Sequence, residues 1–434
     1  MTVIKQYKMN YFDAGENSNK VWIGSAHDNG LFEAQYGRVR EGANLAVSKK
    51  QLSSSAAAVA YLESKRGEKL RKGYEDTSVL GGAETEIVIT NNRPQELSRL
   101  AVEQILGDGA LCATTADLIK YLAEVNIHQI THSTSIKYNA ATGAFSTPLG
   151  VLTPEAVAKA RQLLTSIESE NSNGLTSGAR HKLICDYFRL VPADFGARIP
   201  PSSQLLDTAD KISAQGSILD ALDAALTTSS PDLKSDKIFK CKLSIVPHTT
   251  DEGRAVFRRI KKQYESSKNG FHNTSSLKLV RVYEVEIEDM KQNFDLAAAK
   301  IGNVRADLWH GTKASNLLSI LKSGLMIPKS SASHCTGRMF GDGIYTSVQS
   351  TKALNYATDF WNGSGARNQR TFMFLTECAL GKMNEPKNRT GSFPRKGFDS
   401  TWVEAGTCGV MNHEAIVYDT SQINLKYLCE FGAV

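Results

Sequence analysis

Apolar positions along the chain recur with two different periods, and the changes of period divide it into three parts. Near the N-terminus, Val21-Trp22-Ile23 and residues 31–36 read as strands on either side of the turn signal Asp28-Asn29-Gly30. Residues 56–70 read as a helix, with Ser53 and Ser54 placed to cap it. From about Gln95 to Leu226 the period is helical. Leu97, Leu100, Ile105 and Leu106 share one face, and Leu118, Ile119, Leu122 and Val125 another. Thr153-Pro154-Glu155 opens a further helix, with Thr153 as cap and Pro154 in the first turn. Residues 190–196 read as a turn between helices, and 209–226 as the last helix of this stretch. Strand alternation returns after Lys237: Phe239, Cys241, Leu243 and Ile245 alternate with Lys240, Lys242 and Ser244. Tyr283, Val285 and Ile287 alternate with Glu284 and Glu286, whereas residues 371–380 are apolar on both faces and predict a central strand.

The pattern predicts an α+β multidomain chain. Residues 1–80 form a small α+β module, 94–228 an all-helical bundle, and 237–434 a mixed, largely antiparallel two-sheet α+β domain, with 81–93 as linker. The chain's 434 residues suffice for two to four domains with a substantial core. Seven cysteines without Cys-x2-Cys pairs argue for a reducing compartment and against a zinc site. No apolar run is long enough to span a membrane, and the N-terminus lacks a signal-peptide core.

The net charge of +6 matters through its distribution. Between residues 36 and 72, nine basic residues (Arg38, Arg40, Lys49, Lys50, Lys65, Arg66, Lys69, Arg71, Lys72) face only Glu41, Glu63 and Glu68. Such a run is usually a solvated face; here it is also a candidate phosphate-binding surface. The 258–262 run, Arg-Arg-Ile-Lys-Lys, reads as a solvated helix face.

Candidate chemistry gathers in the last part. Leu308-Trp309-His310-Gly311-Thr312 ends an apolar run in a histidine and a glycine. Residues 336–345 (TGRMFGDGIY) form a glycine-rich loop that ends at Tyr345, and Tyr356 follows. Two tyrosines with hydroxyl handles suit a flat aromatic ligand. The loop is no dinucleotide fingerprint, because Thr346 stands where the third glycine after Gly341-x-Gly343 would fall. Further on, Asn412-His413-Glu414 places a single acid at the mouth of a strand.

Together these three segments resemble the poly(ADP-ribose) polymerase catalytic domain: His310 matches its HG[ST], Tyr345 its GxGIYF, and Glu414 its NEYIVYD. The resemblance implies a His310–Tyr345–Glu414 catalytic triad. It also implies an NAD site of His310, Gly311, Thr312, Asn316, Tyr345 and Tyr356, with NAD as substrate and no metal. Residues 147–152, 191–196 and 205–210 resemble the family's regulatory helical domain, which covers the NAD site until DNA is bound. Tyr36-Gly37-Arg38-Val39 is similar to the WGR domain of the DNA-break-dependent members, with Tyr36 in place of the signature Trp. This implies DNA ends or nicks as partners, contacted by Tyr36, Arg38 and Trp22. It further implies a monomer that modifies protein acceptors, itself included, in the nucleus of a eukaryote or the cytoplasm or nucleoid of a bacterium, and is not secreted. Ala353, Asn412 and Met326 stand where the family has a serine, a tyrosine and an arginine, departures that bear on carboxamide binding, chain length and branching. The alternative is a DNA-end-binding scaffold limited to mono-ADP-ribosylation or to no transfer.

Overall fold

The computed structural model describes residues 1–39, 45–76, 96–106, 112–134, 136–139, 144–147, 150–171, 173–193, 195, 198–226, 239–327, 339–358 and 370–432. Arg40, the linker 81–93, Pro148 and Leu149, and Thr336, Gly337 and Arg338 lie outside them.

The chain opens with β1 (Val3–Asp13), β2 (Ser18–His27), β3 (Leu31–Arg38), β4 (Ala46–Gln51), α1 (Ser55–Arg71) and β5 (Glu75–Asp76). The strands form one sheet in the order β4-β3-β2-β1-β5. The β2–β3 turn closes where the sequence places it, with Gly30 at φ 81°, a left-handed conformation that favours glycine. Ser54 caps α1 by accepting the Ala57 N–H at 3.1 Å. Ala58 and Leu62 of α1 pack on Met9, Trp22 and Phe32 of the sheet.

Next come α2 (Glu96–Ile105), α3 (Ala113–Ser133), β6 (Lys137–Asn139), β7 (Ala144–Thr147), β8 (Gly150–Val151), α4 (Pro154–Asn171), α5 (Gly178–Leu190) and α6 (Ala209–Leu226). The all-helical expectation needs correcting here, because β6, β7 and β8 form a three-stranded antiparallel sheet. Its Tyr138 and Phe145 face each other across the strand pair, ring centroids 4.9 Å apart, the kind of pairing that stabilises short strands. Thr153 caps α4 as the sequence indicates, accepting the Ala156 N–H at 3.3 Å.

The remainder is β9 (Cys241–Ile245), α7 (Asp251–Ser266), β10 (Lys278–Ile287), α8 (Glu288–Ile301), β11 (Val304–Gly311), α9 (Ala314–Ser323), β12 (Ile344–Thr346), α10 (Ser350–Ala357), β13 (Thr371–Ala379), β14 (Met383–Asn384), β15 (Ser400–Val403), β16 (Glu414–Val417) and β17 (Ile423–Gly432). Two sheets result, β11-β13-β17-β10-β9 and β12-β16-β15-β14, antiparallel except for β14–β15. As expected, β13 is internal to its sheet and almost wholly buried.

The chain divides into two compact units. The first holds Met1–Glu96 and Ile127–Ser230; the second holds Leu97–Asn126 with Pro231–Ser330 and Cys335–Val434. Thus α2 and the first part of α3 belong with the C-terminal sheets. Within that second unit Tyr121 lies 6.1 Å from Phe372 between ring centroids, and Gln104 accepts the Phe239 N–H at 2.9 Å. No described helix is long and apolar enough to cross a membrane.

Candidate active site

His310 is positioned by strand pairing on both sides. β11 pairs with β13, placing His310 opposite Phe374. On its other flank Trp309 exchanges two backbone hydrogen bonds with Ser347, at 2.8 and 2.9 Å, which brings the end of β12 alongside. The His310 Nδ1 then lies 2.9 Å from the Tyr345 carbonyl oxygen. A carbonyl only accepts, so Nδ1 carries the proton and Nε2 presents a bare lone pair. Burial holds the imidazole below its ordinary range, against a smaller opposing effect of that bond, so the ring is neutral near pH 7.

Gly311 is required for a reason the sequence did not reveal. A Cβ there would stand 1.7 Å from the Ala353 carbonyl oxygen, so α10 packs directly on the strand backbone. Tyr345 is fixed by its hydroxyl, which donates to Gly341 O at 2.9 Å and accepts the Phe340 N–H at 3.0 Å. The glycine-rich loop is therefore tied to the tyrosine it precedes. Tyr345 also pairs with Ile416, and Thr346 with Ala415, on β16, which sets Glu414 one step beyond. Ser347 Oγ donates to the His413 carbonyl at 2.9 Å, closing the same end.

Glu414 is buried, 8% exposed, and its Oε1 is paired with the Lys352 ammonium. Burial pulls the Lys352 pKa down, partly opposed by the Glu414 charge. Tyr356, one helical turn after Lys352 on α10, keeps 45% of its surface open, and burial followed by the Glu414 charge pushes its hydroxyl up. Lys352 was not foreseen in the sequence; its i, i+4 spacing from Tyr356 on one helix face was the available signal.

Asn316 Nδ2 donates to Thr312 Oγ1 at 3.3 Å, whereas Asn316 Oδ1 is buried without a partner among the described residues. Of the departures, Ala353 is buried, Met326 is 53% exposed, and Asn412 Oδ1 is buried and unpartnered among the described residues.

The residues expected at DNA lie elsewhere, in the first unit. Tyr36 is 43% exposed on β3, and Arg38 follows on the same strand. Trp22, though directly across from Tyr36, is 3% exposed and packed under α1. Its ring belongs to the core and offers no face to a nucleotide. Several cations of the basic run are engaged locally: Lys49 with Glu33, Lys65 with Glu68, Arg66 with Asp76.

Residues 255–392 match the family model of the poly(ADP-ribose) polymerase catalytic domain, a span that includes His310 and Tyr345 and stops short of Glu414. The chain is 28% identical over 322 residues to poly [ADP-ribose] polymerase 1 of Gallus gallus, covering 65% of this chain and 30% of that protein. It is 29% identical over 336 residues to poly [ADP-ribose] polymerase 2 of Homo sapiens, covering 68% and 54%. Against protein mono-ADP-ribosyltransferase PARP4 of Mus musculus it is 24% identical over 392 residues, covering 87% and 18%. The chain thus matches 54% or less of the length of these relatives.

Proposed function

The chain belongs to the poly(ADP-ribose) polymerase family, and from that premise we propose that it cleaves NAD and transfers ADP-ribose to a protein acceptor. The observation that carries this reading is the meeting of β11, β12 and β16, which sets His310 against Tyr345 and Tyr345 beside the strand that starts at Glu414.

In this mechanism the bond between the nicotinamide nitrogen and ribose C1′ breaks, and nicotinamide leaves neutral with the bonding pair. The leaving group needs no proton, so the protein's task is orientation and charge. His310 Nε2 accepts from a hydroxyl of the adenosine-side ribose, with Thr312 and Asn316 beside it. Gly311 offers its backbone to the carboxamide, and Tyr345 and Tyr356 flank the ring. Glu414 accepts from a hydroxyl of the nicotinamide ribose, stabilises positive charge at C1′, and takes the proton of the acceptor as it attacks. This is electrostatic preorganisation. Lys352 holds the Glu414 carboxylate in place.

Activation by DNA is the second half of the proposal. The open ring of Tyr36 with Arg38 stacks on and holds a strand end, and residues 95–226 restrain the site until DNA binds. Partial support comes from the placement of Leu97–Asn126 within the same unit as the site, where Asn126 donates to the Ser315 carbonyl at 3.4 Å. A ligand shifts such an equilibrium only by its differential affinity, so DNA must favour the open form by as much as the closed packing is worth.

Incubating the full chain with labelled NAD, with and without nicked DNA, and sizing the products tests both halves. We expect nicotinamide release and labelled protein, stimulated by DNA, with Tyr36→Ala weakening end binding by roughly 1–3 kcal/mol. A ladder of products marks polymer and a single shift marks mono-ADP-ribosylation. Turnover indifferent to DNA contradicts the activation half; no labelled protein contradicts transfer.

A further inference from the structure

Away from the NAD site, the first unit gathers three ligand-bearing side chains from distant parts of the sequence. Asp13 ends β1, and His181 and Cys185 lie one turn apart on α5. The ligand atoms of all three lie within 4.8 Å of one another. His181 Nε2 is 3.4 Å from Asp13 Oδ2 and 3.6 Å from Cys185 Sγ. The first distance is long for a hydrogen bond, and one nitrogen serves both partners.

Those separations are the ones a metal ion imposes. An ion about 2.0–2.1 Å from nitrogen, about 2.0–2.2 Å from oxygen and about 2.3 Å from sulfur, in tetrahedral geometry, sets nitrogen roughly 3.4 Å from oxygen and roughly 3.6 Å from sulfur. A Cys–His–Asp nucleophile relay is excluded by the same geometry. A relay needs thiol and carboxylate on opposite ring nitrogens, whereas here both face Nε2. Burial also pushes the Cys185 thiol up, the reverse of an activated nucleophile.

Each donor is held by a second contact, as metal ligands are. Asp13 Oδ1 accepts the Glu16 N–H at 3.0 Å. His181 Nδ1 meets Ser202 Oγ at 3.0 Å, and the Ser202 carbonyl is itself fixed at 2.6 Å by the fully buried Arg180. Cys185 accepts from the Ala14 backbone.

We propose that Asp13, His181 and Cys185 bind one divalent ion of the zinc class, with water in the fourth position. The mixed sulfur, nitrogen and oxygen set selects such an ion over magnesium or calcium. The fourth position opens to solvent, since the His181 and Asp13 side chains remain 33% and 26% exposed. On binding, the thiol releases its proton to solvent, and the ring proton settles on Nδ1 and donates to Ser202 Oγ. The ion ties β1 to α5, adding a polar staple to the packing of Phe12 on Phe188, whose ring centroids are 5.6 Å apart. The sequence expectation of no metal rested on missing Cys-x2-Cys pairs; a His181-x3-Cys185 spacing carries no such signal, and Asp13 lies 168 residues from His181.

Cobalt(II) titrated into the full, metal-stripped chain tests this. The expected result is one ion per chain, a thiolate-to-cobalt charge-transfer band and tetrahedral d–d bands, with zinc displacing cobalt. Cys185→Ser should lose the charge-transfer band, and Asp13→Asn, at a position about a quarter exposed, should weaken binding at least tenfold while the circular dichroism stays native. Absence of the bands in the folded wild type overturns the proposal. So does a charge-transfer band that survives in Cys185→Ser, or an affinity that is unchanged in Asp13→Asn.

Discussion

At the scale of single residues, the site turns on two groups whose protonation is set by their surroundings. His310 works as an acceptor only while neutral, and burial keeps its pKa below the ordinary value. As pH falls from neutrality through about 6.5, the usual imidazole value, His310 stays unprotonated and the KM for NAD should stay flat. It should rise only at lower pH, and a rise centred at or above about 6.5 would contradict the assignment. Lys352 is the second group. Removing one partner of a buried ion pair leaves an uncompensated charge and costs about 3–5 kcal/mol in fully buried cases; here the side chains keep 13% and 11% of their surface. Lys352→Met is therefore expected to lower kcat by more than tenfold and to lower the melting temperature. A variant with wild-type kcat would remove Lys352 from the account.

At the scale of elements, the helix α10 that carries Lys352 and Tyr356 packs at Ala353 directly on Gly311 of β11. Gly311→Ala puts a methyl against the Ala353 carbonyl, and neither backbone yields cheaply. The cost should reach the upper end of the roughly 1–3 kcal/mol typical of overpacking, visible as a lower melting temperature together with a raised KM for NAD. A variant of unchanged stability would mean that the helix moves freely. Most elements were legible because their signals are local: the cap residues Ser54 and Thr153, the Asp28-Asn29-Gly30 turn, and the two-sided apolar run of β13. The sheet of β6, β7 and β8 was not legible, since strands of three, four and two residues show too little alternation to register as a period. Of the site, His310, Tyr345 and Glu414 could be picked out by motif. The Lys352–Glu414 pairing could not, because it joins residues 62 positions apart. Trp22 was expected at DNA from the resemblance to the WGR domain, but it lies beneath α1, whose packing face only the fold displays.

At the scale of the whole molecule, the chain forms two compact units. The helical stretch divides between the units: Leu97–Asn126 goes with the catalytic sheets and Ile127–Ser230 with the N-terminal sheet. If the basic face holds phosphate as proposed, activation by DNA weakens steeply with salt. The central claim, however, is that Glu414 stabilises the cation formed as nicotinamide leaves. The direct measurement is nicotinamide release and ADP-ribose transfer by full-length Glu414→Gln beside the wild type, with NAD affinity determined in parallel. Loss of a preorganised charge at the reacting centre should lower kcat on the order of a hundredfold or more while NAD binds nearly as before. Wild-type transfer by Glu414→Gln, or a loss traced wholly to NAD binding, would contradict the mechanism.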